Sequence, residues 1–135
     1  MKGLDKFFEM DAFAQYLGIE LLEASDGKAK ARMEIKQHHI NSHKTVHGGA
    51  IFALADTVFA IASNSYGTVA MAINVSISYF KAVTEGILTA EATEISRNPK
   101  LASYSITVTD ENSDIIAIFQ GMVYRKKDTI DFIHE

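Results

Sequence analysis

The stretch HGGAIFALADTVFAIAS, residues 47–63, is apolar along almost its whole length and holds a single carboxylate, Asp56. It is too long for an ordinary strand and contains no proline, so it reads as a helix from Gly48 or Gly49 to about Asn64. A helix that is apolar almost all round is one buried on all sides. A carboxylate within it must find donors or shift its pKa upward, because burial penalises the charged form. Two readings follow for Asp56: a structural one, in a solvent-filled groove beside Thr57 or bonded to nearby backbone, and a functional one, in a site.

The sequence around this helix is β-rich. VAMAINVSISYF (69–80) alternates and places Met71, Ile73, Val75, Ile77 and Tyr79 on one face. ILTAEATEI, LASYSITVT and IIAIFQGMVY continue the pattern, with turn clusters SRNPKL and DENSD between them. Four consecutive strands between residues 69 and 125 predict an antiparallel meander. Upstream, LGIELLEA and KAKARMEI form a hairpin about Asp26-Gly27. Leu4, Phe7, Phe8, Met10, Phe13 and Ala14 have the spacing of one amphipathic helix over residues 4–16. The expected fold is α+β: a long central helix wrapped by a curved antiparallel sheet of five to six strands, with an N-terminal helix, in one domain over residues 1–135.

Composition narrows the function. The 135 residues are 47% hydrophobic and 22% charged, as in soluble globular proteins. Asp56 interrupts the longest apolar run, and Asp5, Glu9 and Asp11 stand where a signal peptide would be apolar, so a cytoplasmic protein without a membrane span is expected. There is no cysteine, which removes thiolate nucleophiles and thiolate metal sites together. The net charge of −4 argues against nucleic acid as a partner. His38, His39, His43 and His47 lie close in sequence but lack metal-motif spacing, and no metal site is expected.

Helix geometry separates His47 from Asp56. Nine residues correspond to about 13 Å along the axis and to opposite faces. If both are functional, two copies with antiparallel central helices form composite sites. Gly48-Gly49 leaves first-turn N–H groups open to close approach by a ligand atom, with the positive end of the helix dipole behind them. Such a terminus suits an oxyanion.

NSHKTVHGGAIFALADTVFAIASNSYG (41–67), with an asparagine, then HGG, then an aspartate nine positions after the histidine, resembles the hotdog-fold acyl-CoA thioesterases of the PaaI type. ISYFKAV and RNPKLASYSI extend the likeness over nearly the whole chain. The resemblance implies a hotdog fold and a homodimer or homotetramer. It also implies hydrolysis of an aryl or medium-chain acyl-CoA, with coenzyme A as part of the substrate and no resident cofactor. By the same likeness Asp56 is general base or nucleophile, and the Gly49 N–H polarises the thioester carbonyl. Asn41 and His47 orient thioester or water, His47 alternatively fixing the loop. Gly48, Asn74, Lys81, Arg97, Asn98 and Lys100 are the implied substrate-binding residues, the cations for the phosphates. Phe52, Phe59, Tyr66 and Phe80 are candidates to line an acyl pocket. The alternative is a non-catalytic acyl-CoA-binding or sensing hotdog protein, since fold alone does not assign chemistry.

Overall fold

A computed structural model describes residues 2–130. Two short helices, α1 (Lys2–Glu9) and α2 (Ala12–Leu17), precede a hairpin of β1 (Ile19–Ser25) and β2 (Lys28–Glu34). A 3-10 turn (Gln37–His39) and a loop lead to the long helix α3 (Gly48–Asn64). Then come β3 (Thr68–Tyr79), β4 (Ile87–Arg97), β5 (Leu101–Thr109) and β6 (Ile115–Thr129). The strands make one six-stranded sheet in the order β1-β2-β4-β5-β6-β3, with every pairing antiparallel. Among the described residues no helix is long and apolar enough to cross a membrane.

The α+β arrangement agrees with the sequence reading; four details differ. The N-terminal helix is two helices, because Asp11 at ψ 92° leaves helical geometry and accepts the Ala14 N–H at 3.0 Å, capping α2. Only β4, β5 and β6 form a meander; β3 lies beyond β6 at the far edge, reached because α3 carries the chain across the sheet. A bulge in β3 between Ala72 and Asn74 shifts the alternation. Met71, opposite Tyr124, therefore lies on the face away from α3, whereas Val75, Ile77 and Tyr79, opposite Gly121, Phe119 and Ala117, lie on the α3 face. Finally, α3 is not covered on all sides: Gly49 is exposed and Phe52, Asp56 and Ala60 only partly buried, a stripe at the three- and four-residue spacing of one helix face.

The remaining faces of α3 form the core. Leu54, Ala55, Val58 and Ala62 have no exposed surface, nor do Met33, Leu88, Ile106 and Phe119 from the sheet. Phe59 fits only because position 121 is glycine: a Cβ there would stand 2.6 Å from the Phe59 ring. The sequence thus fixes how closely α3 approaches β6 at this point. Gly121→Ala should lower stability by about 1–3 kcal/mol, the range for overpacking a well-filled core. Thermal unfolding of the purified variant checks this.

Candidate active site

The loop before α3 is built by short-range bonds. Asn41 Oδ1 accepts the backbone N–H groups of His43 and Thr45 at 2.9 and 3.2 Å, and Asn41 Nδ2 donates to Thr45 Oγ1 at 3.1 Å. Lys44, at φ +65°, completes the turn. A single β-bridge joins Ile40 to Val46, returning the chain to His47.

His47 is the N-cap of α3, and its Nδ1 accepts the Gly49 N–H at 2.8 Å. The two glycines have different causes. A Cβ at position 49 would stand 2.9 Å from His47 Nδ1 and displace the cap. At position 48 it would press on the Tyr79 ring at 3.3 Å, and the Tyr79 hydroxyl donates to the Gly48 carbonyl at 2.9 Å. The donor expected at Gly49 is thus engaged by His47. The Gly48 N–H has no partner among the described residues and opens on a 340 Å³ cleft lined by Val46, Tyr79, Phe80 and Lys81.

Asp56 lies on the open stripe two turns further along α3. Its carboxylate accepts no hydrogen bond from the described residues. Burial, with a smaller contribution from the negative charge of Asp11, pushes its pKa above the usual carboxylate value. Beside it, Thr57, Ala60 and Ile61 face Phe7, Phe8 and Met10 across an apolar groove of 220 Å³.

Comparison with known proteins gives the family. A sequence profile of the thioesterase superfamily matches residues 43–117, which hold the capped helix and Asp56. The chain belongs to the thioesterase superfamily. A protein of Archaeoglobus fulgidus named for an inferred esterase activity is 43% identical over 90% of this chain and 79% of its own. The acyl-coenzyme A thioesterase PaaI of Escherichia coli is 34% identical over 91% of this chain and 89% of its own. The structure of the E. coli PaaI protein superposes with a TM-score of 0.90 at 31% identity, covering 94% of this chain and 93% of that one. A mutant PaaI from Thermus thermophilus gives 0.83 at 34% identity, over 86% and 100% of the two chains. The hotdog fold is shared, and the superfamily places this chain among the thioester hydrolases.

Within one thioesterase protomer the remaining expected residues do not converge. Lys81 stands near the start of α3 and bridges Asp110 and Asp114 at 3.2 and 2.6 Å. Arg97 lies near the other end of α3, about 25 Å away by helix length; there its guanidinium stacks 3.9 Å over the Tyr66 ring, and its Nε pairs with Glu94 at 3.2 Å. Asn98 Oδ1 is occupied in the β4–β5 turn by the N–H groups of Lys100 and Leu101. The Lys100 ammonium is exposed, with no ion pair among the described residues. Asn74, opposite Met122, is on the sheet face away from α3 and so away from the Asp56 of its own chain. Phe59 is core, packed against Tyr104 and Phe119; Phe52 rests partly exposed on Phe119.

Three features escaped the sequence reading. Asp11 neighbours Asp56 because α1 and α2 break at its cap, and Asp-x-x-Ala after a turn is a legible N-cap signal. Glu94 binds the hydroxyls of Tyr66 and Tyr104 at 3.0 Å, burial being the first cause and Glu94 the next of a raised Tyr104 pKa. Tyr79 holds the first carbonyl of α3. The last two contacts span about thirty or fewer residues between separate elements and leave no local pattern.

The raised pKa of Asp56 has a consequence for stability. The folded state favours the protonated carboxyl, so its contribution is fully present below the unfolded value and is lost as pH rises through the folded one. Asp56→Asn should therefore melt higher than the parent at pH 7, and the difference should shrink as the pH is brought toward 3.8. Paired thermal melts over that range measure it.

Proposed function

We propose that this chain is an acyl-CoA thioesterase in which Asp56 drives hydrolysis and the Gly48 backbone N–H polarises the thioester carbonyl. The observation that carries the reading is an unpaired carboxylate of raised pKa on the one open face of an otherwise buried helix. A thioester has a good leaving thiol, so one base or nucleophile and one oxyanion donor meet its needs without a serine or cysteine. Gly48 replaces Gly49 as donor because its N–H is the unengaged one, backed by the helix dipole, with Tyr79 holding the adjoining Gly48 carbonyl. Asn41 keeps one Nδ2 hydrogen for the carbonyl oxygen beyond its bond to Thr45. His47 acts through its cap, fixing the first turn.

Gly48 and Asp56 are eight residues apart, about 12 Å along α3, too far to reach one carbonyl carbon together. A second copy resolves this. Among the described residues, edge strand β3 is unpaired on its outer side over twelve residues and exposes Ile73, Val75 and Tyr79, an arrangement suited to pairing with another β3. Antiparallel pairing sets the two α3 helices antiparallel, Asp56 of one beside the Gly48 end of the other. The acyl group is apolar, aryl or medium-chain, matching the groove between α3 and Met10. In this reading Lys100, with Arg97 released from Glu94, meets the coenzyme A phosphates.

Thiol release from aryl, short-, medium- and long-chain acyl-CoAs tests the activity. The parent should hydrolyse at least one class, and Asp56→Asn should lose roughly 10²–10⁴-fold in kcat while keeping its fold and assembly. Binding without turnover in both proteins would move the sensing alternative to the front. For the composite site, inactive Asp56→Asn chains mixed with inactive Gly48→Pro chains should regain part of the parent activity after subunit exchange; no recovery in verified mixed dimers would count against it.

A further inference from the structure

Outside this machinery a histidine side chain is buried with both ring nitrogens engaged. His39 is 1% exposed. Its Nδ1 accepts the Lys36 backbone N–H at 2.9 Å, and its Nε2 lies 2.8 Å from the Leu17 carbonyl oxygen. An N–H only donates and a carbonyl only accepts, so the ring is neutral with its proton on Nε2. The backbone of the same residue continues the chain of bonds: its N–H donates to the Lys36 carbonyl at 3.0 Å, and its carbonyl accepts the His47 N–H at 2.7 Å.

Those four bonds connect two parts of the site. Leu17 ends α2, whose N-cap is Asp11, the charged neighbour of Asp56. His47 caps α3 and directly precedes Gly48. Position 39 is therefore a joint between the helix that neighbours the carboxylate and the loop that presents the carbonyl donor.

We propose that His39 is a positioning residue for thioester hydrolysis, its neutral ring locking the 36–47 loop so that His47 and Gly48 are held at the productive place. The inference rests on the acyl-CoA thioesterase reading. Protonation at Nδ1 replaces an acceptor by a donor facing the Lys36 N–H, so the loop must move and the His47 N–H loses its fixed partner. The groups around the ring disfavour that charge: burial first, then the His38 ring, 4.3 Å away centroid to centroid, and Lys36, against a favourable Leu17 carbonyl. Tyr16 packs edge-on against His38 and contributes no charge. The folded pKa lies below the ordinary histidine value, so the joint is intact at neutral pH and is lost as pH falls through that lowered value.

Three variants separate positioning from mere support. His39→Gln keeps an uncharged donor for Leu17 and His39→Asn keeps an acceptor for Lys36, while His39→Ala removes both. Below the Tm of each variant, His39→Ala should lose about 10²-fold in kcat/KM, the effect of small misplacement, with free coenzyme A binding unchanged. His39→Gln should recover most of it, and its log kcat/KM should fall less steeply at acid pH than that of the parent. A folded His39→Ala with kcat/KM within twofold of the parent overturns the proposal, as does an unchanged acid slope in His39→Gln should the alanine variant not fold. Amide exchange at His47 and Gly49 gives a readout without substrate. Faster exchange at these two sites than global destabilisation explains supports the joint, and unchanged exchange sinks it. Failure of the parent on every acyl-CoA would overturn the thioesterase reading and leave the exchange result to decide on His39.

Discussion

The contact of α3 with the inner face of the sheet is the constraint on which the rest of the structure depends. Leu54, Ala55, Val58 and Ala62 leave no exposed surface, and Phe59 occupies the space that Gly121 leaves free. That contact fixes the helix in depth and in rotation. Rotation matters more for chemistry, because it leaves Gly49, Phe52, Asp56 and Ala60 as the outward stripe. A rigid, densely packed support is what allows a partly desolvated carboxylate to stand without partners.

The start of the same helix shows how backbone groups are assigned. Of its first two N–H groups, one is capped by His47 and the other is open. The carbonyl of that open peptide is the one of His47, which accepts the Ala50 and Ile51 N–H groups at 2.9 and 3.2 Å, while Tyr79, from the far edge of the sheet, holds the next carbonyl, that of Gly48. The place of the Gly48 N–H is thus set by loop bonds around Asn41 and His39, and the turn of its peptide plane by the helix bonds that the His47 carbonyl accepts. Preorganised dipoles of this kind stabilise developing charge without reorienting when it appears.

Much of this was legible in the sequence where the determining interactions are local. The span of α3, the turns at Asp26-Gly27, SRNPKL and DENSD, and the outlier Asp56 all follow from periodicity and residue type within a window of a few residues. The spacing of His47 and Asp56 alone already demanded two copies if both act. What periodicity missed was set by distant partners. The bulge at Ile73 depends on pairing with β6, and the place of β3 at the far edge on where α3 delivers the chain. The split between α1 and α2 was written in Asp11, yet the apolar spacing of Leu4 to Ala14 concealed it. At the site, the choice between Gly48 and Gly49 rests on one side-chain rotamer at His47, which no spacing encodes.

The position of β3 also bears on the order of assembly. The β1–β2 hairpin and the β4–β5–β6 meander join neighbours in sequence, but Tyr79 pairs with Ala117 and Thr68 with Thr129, tens of residues further on. Loop closure over such separations is entropically demanding, and contacts of high sequence separation slow folding. The strand that carries the unpaired edge has its docking surface only once β6 is in place. A chain still being synthesised therefore does not display this edge in register until β6 has formed.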